Sequence, residues 1–136
     1  MLSGFNPVQA MLDHDFAEQK KKRAEGQMTL GKLIEALEGL NPERKVVGLG
    51  QLDSYRGYYE DLAFGPDETP RTVGDLLAEC KKAMGRYFTG YKGGEFLMGE
   101  DTPLWVSAYG DASGLKLMRL HTESDPIQPV MEQEEW

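Results

Sequence analysis

The apolar positions of the chain recur first with a helical period and only later with a strand period. In residues 7–25, Val8, Met11, Leu12 and Phe16 fall at helical spacing and the second half is charged, so this stretch predicts one helix, stopped by Gly26. It reads as an appendage that packs on the body or on a second subunit. TLGKLIEALEGLNP predicts a second helix: Thr29 is the N-cap, Leu30, Leu33, Ile34 and Leu37 form the buried stripe, and Gly39 and Pro42 end it. KVVGLG, at 45–50, reads as a short buried strand.

TVGDLLAECKKAMG predicts a third helix, with Thr72 and Asp75 resembling a capping box. Val73, Leu76, Leu77, Cys80 and Met84 make its stripe, and Gly85 is its stop. Because Cys80 lies on the stripe, it reads as a small core residue and not as a nucleophile. The pattern then changes. In TPLWVSAYG, Leu104, Val106 and Ala108 alternate with Trp105, Ser107 and Tyr109; a polar turn, GDASG, leads to GLKLMRL, and the two strands are expected to form a hairpin. Residues 122–136, with Pro126 and Pro129, read as disordered. The expected fold class is α+β: two main helices packed on a small, mostly antiparallel sheet, plus an N-terminal helix. The expected divisions are a helical extension over 1–27, an α+β domain over 28–120 and an acidic flexible tail over 121–136.

Two segments share an aromatic–cation–glycine order: Tyr55-Arg56-Gly57 and Tyr91-Lys92-Gly93. Each follows a helix, and those helices open alike, Thr-Leu-Gly-Lys-Leu-Ile and Thr-Val-Gly-Asp-Leu-Leu. Arg56 lies 27 residues after Thr29 and Lys92 lies 20 after Thr72, so the spacing drifts. A duplicated half is one account. Two amphipathic helices with similar N-terminal chemistry is the other.

Composition narrows the function classes. A chain of 136 residues falls within one domain of ordinary size, and it has no apolar run long enough to span a membrane. Its start shows no basic segment followed by an apolar block, so a secretory signal is not expected. The single Cys80 excludes an intramolecular disulfide and fits a reducing compartment. The net charge is −8, but five acids and no Lys or Arg fall from residue 122 onward, which leaves −3 for the rest (15 cations against 18 acids). Nucleic-acid binding is not expected, since a phosphate stripe needs clustered positive charge and the one basic cluster is KKKR at 20–23. That cluster reads as a solvated helix end.

Glycine beside a cation lets backbone approach an anion closely, while Arg adds a planar fork and Lys a point charge. Tyr55, Tyr58, Tyr59, Tyr91 and Phe96 are rings on which a base could stack, at about 1–3 kcal/mol per base, with Trp105 and Tyr109 on one strand face nearby in sequence. The expected ligand-binding set is Ser54, Tyr55, Arg56, Gly57, Tyr59, Thr89, Gly90, Tyr91, Lys92, Gly93, Gly94, Phe96 and Trp105, for an anionic aromatic ligand of nucleotide type. The same segments also suit plain β-turns, with glycine supplying positive φ. GYKGG lacks the order of a P-loop. His14 and His121 have no second His or Cys at metal spacing, and Ser54, Ser107 and Ser113 have no nucleophile frame, so neither a catalytic set nor a metal is expected. Glu60, Asp61, Glu100 and Asp101 read as exposed turn acids.

SYRGYYEDLAF, TVGDLL, FTGYKGGEFLM and DTPLWVSAYG, in that order, resemble a family of small uncharacterised proteins of tailed phages and actinobacteria. The resemblance covers residues 28–120 and carries no activity, so no catalytic residue is transferred by it. It implies a phage or prophage accessory protein in the host bacterial cytoplasm. In that context the expected role is anti-defence: a non-enzymatic binder that sequesters a nucleotide-derived immune signal, with no cofactor. The alternative is an inhibitor that binds a host defence protein through the N-terminal helix or the acidic tail. A metal-assisted nucleotide hydrolase using Glu60, Asp61 or Glu100 is the third reading. A homo-oligomer paired through the first helix remains open.

Overall fold

The structure, a computed structural model, describes residues 18–107 and 114–134. Val8, Met11, Leu12, His14, Phe16, Tyr109, Ser113 and Trp136 therefore lie outside the described residues. The fold is α+β, as the sequence pattern predicts, with helix α1 over residues 18–26, α2 over Leu30–Glu38 and α3 over Val73–Ala83. The strands are β1 Lys45–Val46, β2 Leu52–Ser54, β3 Leu62–Phe64, β4 Arg71–Thr72, β5 Tyr87–Thr89, β6 Glu95–Leu97, β7 Leu104–Val106, β8 Leu115–His121 and β9 Gln128–Gln133.

Both main helices start where the cap residues place them. The Thr29 hydroxyl accepts from the Lys32 N–H and the Thr72 hydroxyl from the Asp75 N–H, each satisfying a donor left over by the first turn. Leu30, Leu33 and Leu37 of α2 and Val73, Leu76, Cys80 and Ala83 of α3 are buried. Gly85, with φ of +74°, turns the chain out of α3 in a conformation that a Cβ disfavours.

The central sheet runs β2–β3–β7–β8–β9. Only β3 and β7 are parallel; β2–β3, β7–β8 and β8–β9 are antiparallel. Leu62, Phe64, Leu104, Val106 and Leu117 face the two helices and build the main core with them. Past Trp105 and Val106, β7 and β8 separate, and Met28 fills the gap: its N–H donates to the Leu117 carbonyl and its carbonyl accepts from Leu104 N–H. The link between α1 and α2 is thus woven into the sheet. β1 and β4 form a small ribbon, and β5–β6 a separate hairpin.

The disordered reading of 122–136 is overturned for the described residues. Residues 128–133 pair with β8 from Leu115↔Gln133 to His121↔Gln128. Arg44 holds the preceding turn by donating to the Thr122 and Ser124 carbonyls (2.7 and 3.0 Å), and Ile127 is fully buried against β1. Acidic composition misled here. Prolines are tolerated in an edge strand, and Pro129 sits in one.

Candidate functional site

Each aromatic–cation–glycine segment occupies the connection of a hairpin that lies downstream of a helix. Residues 55–61 join β2 to β3, and residues 90–94 join β5 to β6. In the second connection Gly90 N–H donates to the Gly94 carbonyl and Gly93 N–H to the Gly90 carbonyl, both at 3.0 Å. Gly93 and Gly94 have φ of +94° and +79°, which side chains with a Cβ rarely adopt. In the first, the Ser54 hydroxyl donates to the Tyr59 carbonyl at 2.7 Å.

The two connections touch. The Arg56 guanidinium lies over the Tyr91 ring, 3.6 Å from its centroid. The same two hairpins bring the Tyr59 and Phe96 rings together, tilted at 59° with centroids 5.9 Å apart. Gly90 permits the approach, since a Cβ there would stand 2.9 Å from a Phe96 ring carbon and 3.1 Å from Tyr59. Arg56, Gly57, Thr89, Lys92, Gly93 and Gly94 are exposed around it, and Tyr91 is 66% exposed. Of the expected set, Ser54, Arg56, Gly57, Tyr59, Thr89, Gly90, Tyr91, Lys92, Gly93, Gly94 and Phe96 fall in or beside this rim.

Tyr55 and Trp105 do not. They were expected to stack a ligand, and they lie inside, on the sheet face away from α2 and α3. Tyr55 is 2% exposed and Trp105 is fully buried. Their rings stack on each other at 4.6 Å, with Tyr58 tilted against both. The Tyr55 hydroxyl accepts from the Gly114 N–H. The rings are therefore core, and the reason is their position beside Ala63 at the centre of the sheet, where the small residue leaves room for them.

Asp61 closes this inner cluster and corrects a second expectation. It is a fully buried carboxylate, not an exposed turn acid. One oxygen accepts from Arg23 Nε (2.8 Å) and from Trp105 Nε1 (2.9 Å), and the other from Arg23 Nη2 (3.1 Å). Arg23 also donates to Glu60 at 2.9 Å and lies over the Tyr58 ring at 3.9 Å. Burial pushes the Asp61 carboxyl up, and the guanidinium and the indole N–H pull it only part of the way back. Burial lowers the Arg23 pKa, but Asp61 and Glu60 outweigh it and hold it above its usual value. The Tyr58 hydroxyl donates to Glu134 at 2.6 Å; burial first, then that carboxylate, pushes it up to about 12.

Arg23 ends the KKKR run that reads as a solvated helix end. Four residues on, just past α1, Gln27 is buried and donates to the Leu104 carbonyl at 2.8 Å. Glu100 and Asp101 are exposed, as expected. Among the described residues no group of three His, Cys, Asp or Glu side chains is placed to hold a metal ion, and no helix is long and apolar enough to cross a membrane.

Comparison with protein-family models, with curated proteins and with solved structures gives no match. The functional reading therefore rests on the geometry above and on the motif order.

Proposed function

We propose that this chain is a non-enzymatic binding protein for a nucleotide-derived ligand, which it sequesters intact. In the phage or prophage setting that the motif order implies, the ligand is an immune signal of the host. The observation that carries the reading is the meeting of the two hairpin connections at Arg56 and Tyr91. A guanidinium lying on an exposed ring presents charge to phosphate and a flat surface to a base in one place. Lys92 adds a second cation on the same turn, and the 90–94 backbone has no side chain at Gly90, Gly93 or Gly94 to keep an anion away. Arg56, Lys92 and Tyr91 are the contacts proposed.

A thermal-shift panel of cyclic di- and trinucleotides, ADP-ribose, NAD and mononucleotides tests this. A ligand at 100 times its dissociation constant adds about 2.7 kcal/mol, a shift of several degrees. The nucleotide should be recovered unchanged in mass after denaturation, and Arg56→Ala should abolish the ligand-induced shift while the free protein still melts cooperatively, within a few degrees of the parent. Unchanged affinity in Arg56→Ala sinks the assignment.

One observation favours a second reading, an inhibitor that binds a host protein. Tyr87 and Leu97 are cross-strand partners on the β5–β6 hairpin and are 59% and 53% exposed, an apolar pair turned to solvent. Tyr87→Ser with Leu97→Ser should abolish activity under this reading and leave nucleotide binding intact under the first. Deletion of 121–136 does not separate the two, because it removes β9 from the sheet.

A further inference from the structure

Arg56 belongs to a seven-residue connection, 55–61, and one side chain of α1 holds that connection at three places. Arg23 lies over the Tyr58 ring at 3.9 Å, donates to Glu60 at 2.9 Å and donates twice to Asp61, at 2.8 and 3.1 Å. Its side chain is 10% exposed. The connection is also closed on itself. The Tyr55 N–H donates to the Asp61 carbonyl and the Asp61 N–H to the Tyr58 carbonyl, both at 2.9 Å, and the Ser54 hydroxyl donates to the Tyr59 carbonyl. A second hold comes from just past β9, where Glu134 accepts from the Tyr58 hydroxyl. Of the seven residues, Arg56 and Gly57 alone are exposed. The held side of the loop lies within the fold, and the free side carries the guanidinium that lies 3.6 Å from the Tyr91 ring centroid.

We infer that Arg23 is a positioning residue for the rim: by fixing Tyr58, Glu60 and Asp61 it sets the Arg56 guanidinium over the Tyr91 ring. The inference rests on the reading of Arg56 and Tyr91 as ligand contacts, and it is testable with no ligand present. A loop of this length, pinned at both strand ends and bonded across its middle, has few dihedrals left to vary, so holding one side places the other. α1 is a firm support for it. Just past its end, Gln27 donates to the Leu104 carbonyl, and Met28 bonds to Leu104 and Leu117 in the sheet. Without the guanidinium, Asp61 keeps one donor among the described residues, the Trp105 N–H, and has a second carboxylate beside it at Glu60. A buried charge so poorly partnered moves toward water. The connection swings outward with it and takes Arg56 off Tyr91. Tyr91 does not follow, because its own turn is closed by the hydrogen bonds among Gly90, Gly93 and Gly94. Contact between the two hairpins is then lost while each hairpin survives. A lysine at position 23 restores the charge but not the planar fork, so its effect is partial.

Heteronuclear NMR on the intact chain, with no ligand added, is the test. A guanidinium lying over an aromatic ring has its Hδ and Nε–H resonances displaced upfield by the ring current, and Tyr91→Leu gives their undisplaced positions. The expected result is that the Arg56 resonances are displaced in the unsubstituted chain, undisplaced in Arg23→Gln and intermediate in Arg23→Lys. The methyl resonances of Leu33, Leu62 and Leu104 in the main core should stay in place throughout. A role for Arg23 in stability alone lowers the melting temperature and leaves Arg56 over Tyr91. Arg56 resonances that keep their displacement in Arg23→Gln overturn the inference, and so does an unsubstituted chain whose Arg56 resonances match those of Tyr91→Leu. If Arg23→Gln loses the core methyl pattern too, it has unfolded, and Arg23→Lys decides: full displacement there overturns the inference, and a partial return toward the Tyr91→Leu positions supports it. The nucleotide panel is read separately. A flat panel with the displacement lost in Arg23→Gln sinks the nucleotide reading and leaves the positioning role. A panel hit with the displacement kept in Arg23→Gln sinks the positioning role and leaves the nucleotide reading.

Discussion

Tyr55 and Tyr91 open the same aromatic–cation–glycine order, yet one is 2% exposed and the other 66%. The difference is one of position in the sheet. Tyr55 follows β2, whose hairpin partner β3 is paired to β7 in the centre of the sheet, so its ring is driven under the sheet against Trp105. Tyr91 sits at the tip of β5–β6, which among the described residues pairs with no third strand, and its ring lies under the Arg56 guanidinium. A short motif therefore specifies a turn, and the surrounding pairing decides whether its ring becomes core or surface. The inner cluster is buried and hydrogen-bonded; the outer rim exposes Lys92 and the Tyr91 ring.

The largest effect that can break this contrast is at Asp61. Asp61→Ala leaves Arg23 with Glu60 alone and the Trp105 N–H without an acceptor. Removing one partner of a buried pair costs about 3–5 kcal/mol, a loss in Tm on the order of 10 °C for a domain of this size. Denaturant melts measure it. Arg23→Met combined with Asp61→Leu should recover most of the loss, because it removes both charges together. A loss under about 1 kcal/mol for Asp61→Ala would show that the cluster is not the anchor of α1.

Tyr55→Phe and Gly90→Ala come next and sharpen the contrast from each side. The first strands the Gly114 N–H and should cost about 1–3 kcal/mol of stability, with nucleotide affinity changed little. The second forces a Cβ against Phe96 and Tyr59, with about 1–3 kcal/mol of strain, and separates Arg56 from Tyr91, so it should also lower affinity. If Gly90→Ala melts lower and binds equally well, the contact between the two connections is structural only.

What the sequence made legible follows from periodicity and capping. Thr29 and Thr72 cap α2 and α3, the stripes from Leu30 and Val73 are buried, and Leu104 and Val106 face the core while Trp105 faces away. What it hid depends on contacts between distant residues. No local signal pairs Arg23 with Asp61, 38 positions away, or places Arg56 over Tyr91. Acidic composition concealed β9, because burial of Ile127 and pairing to β8 are properties of the fold. The rim was legible as two turns; its convergence was not.

A pH effect is confined to the helical side of the core and to alkaline conditions. Burial first, and then the neighbouring Glu79, push the Cys80 thiol from 9.0 up to about 12. The folded state holds the proton more tightly than the unfolded chain. Its contribution is therefore complete below pH 9 and is lost progressively as pH rises from 9 to 12. Cys80→Ala should flatten that limb of the stability curve, and iodoacetamide at pH 8 should leave native Cys80 unmodified. Modification of the native protein within minutes would contradict the burial.

The smallest expected change in stability is at Tyr91, and it bears most directly on function. Tyr91→Ala removes an exposed ring and one cation–π contact, worth about 0.5–1 kcal/mol at an exposed site. The melting temperature should move by a few degrees at most. Nucleotide affinity should fall about tenfold or more, since a stacked base contributes about 1–3 kcal/mol. Tyr91→Phe should restore affinity, because stacking needs the ring and not the hydroxyl. Tyr55 should invert both results: Tyr55→Ala loses stability through its packing on Trp105, and phenylalanine there cannot restore the bond to Gly114. If Tyr91→Ala and Tyr91→Phe bind nucleotide equally well, Tyr91 supplies no stacking surface, and the exposed tip of β5–β6 passes to the protein-binding reading with Tyr87 and Leu97.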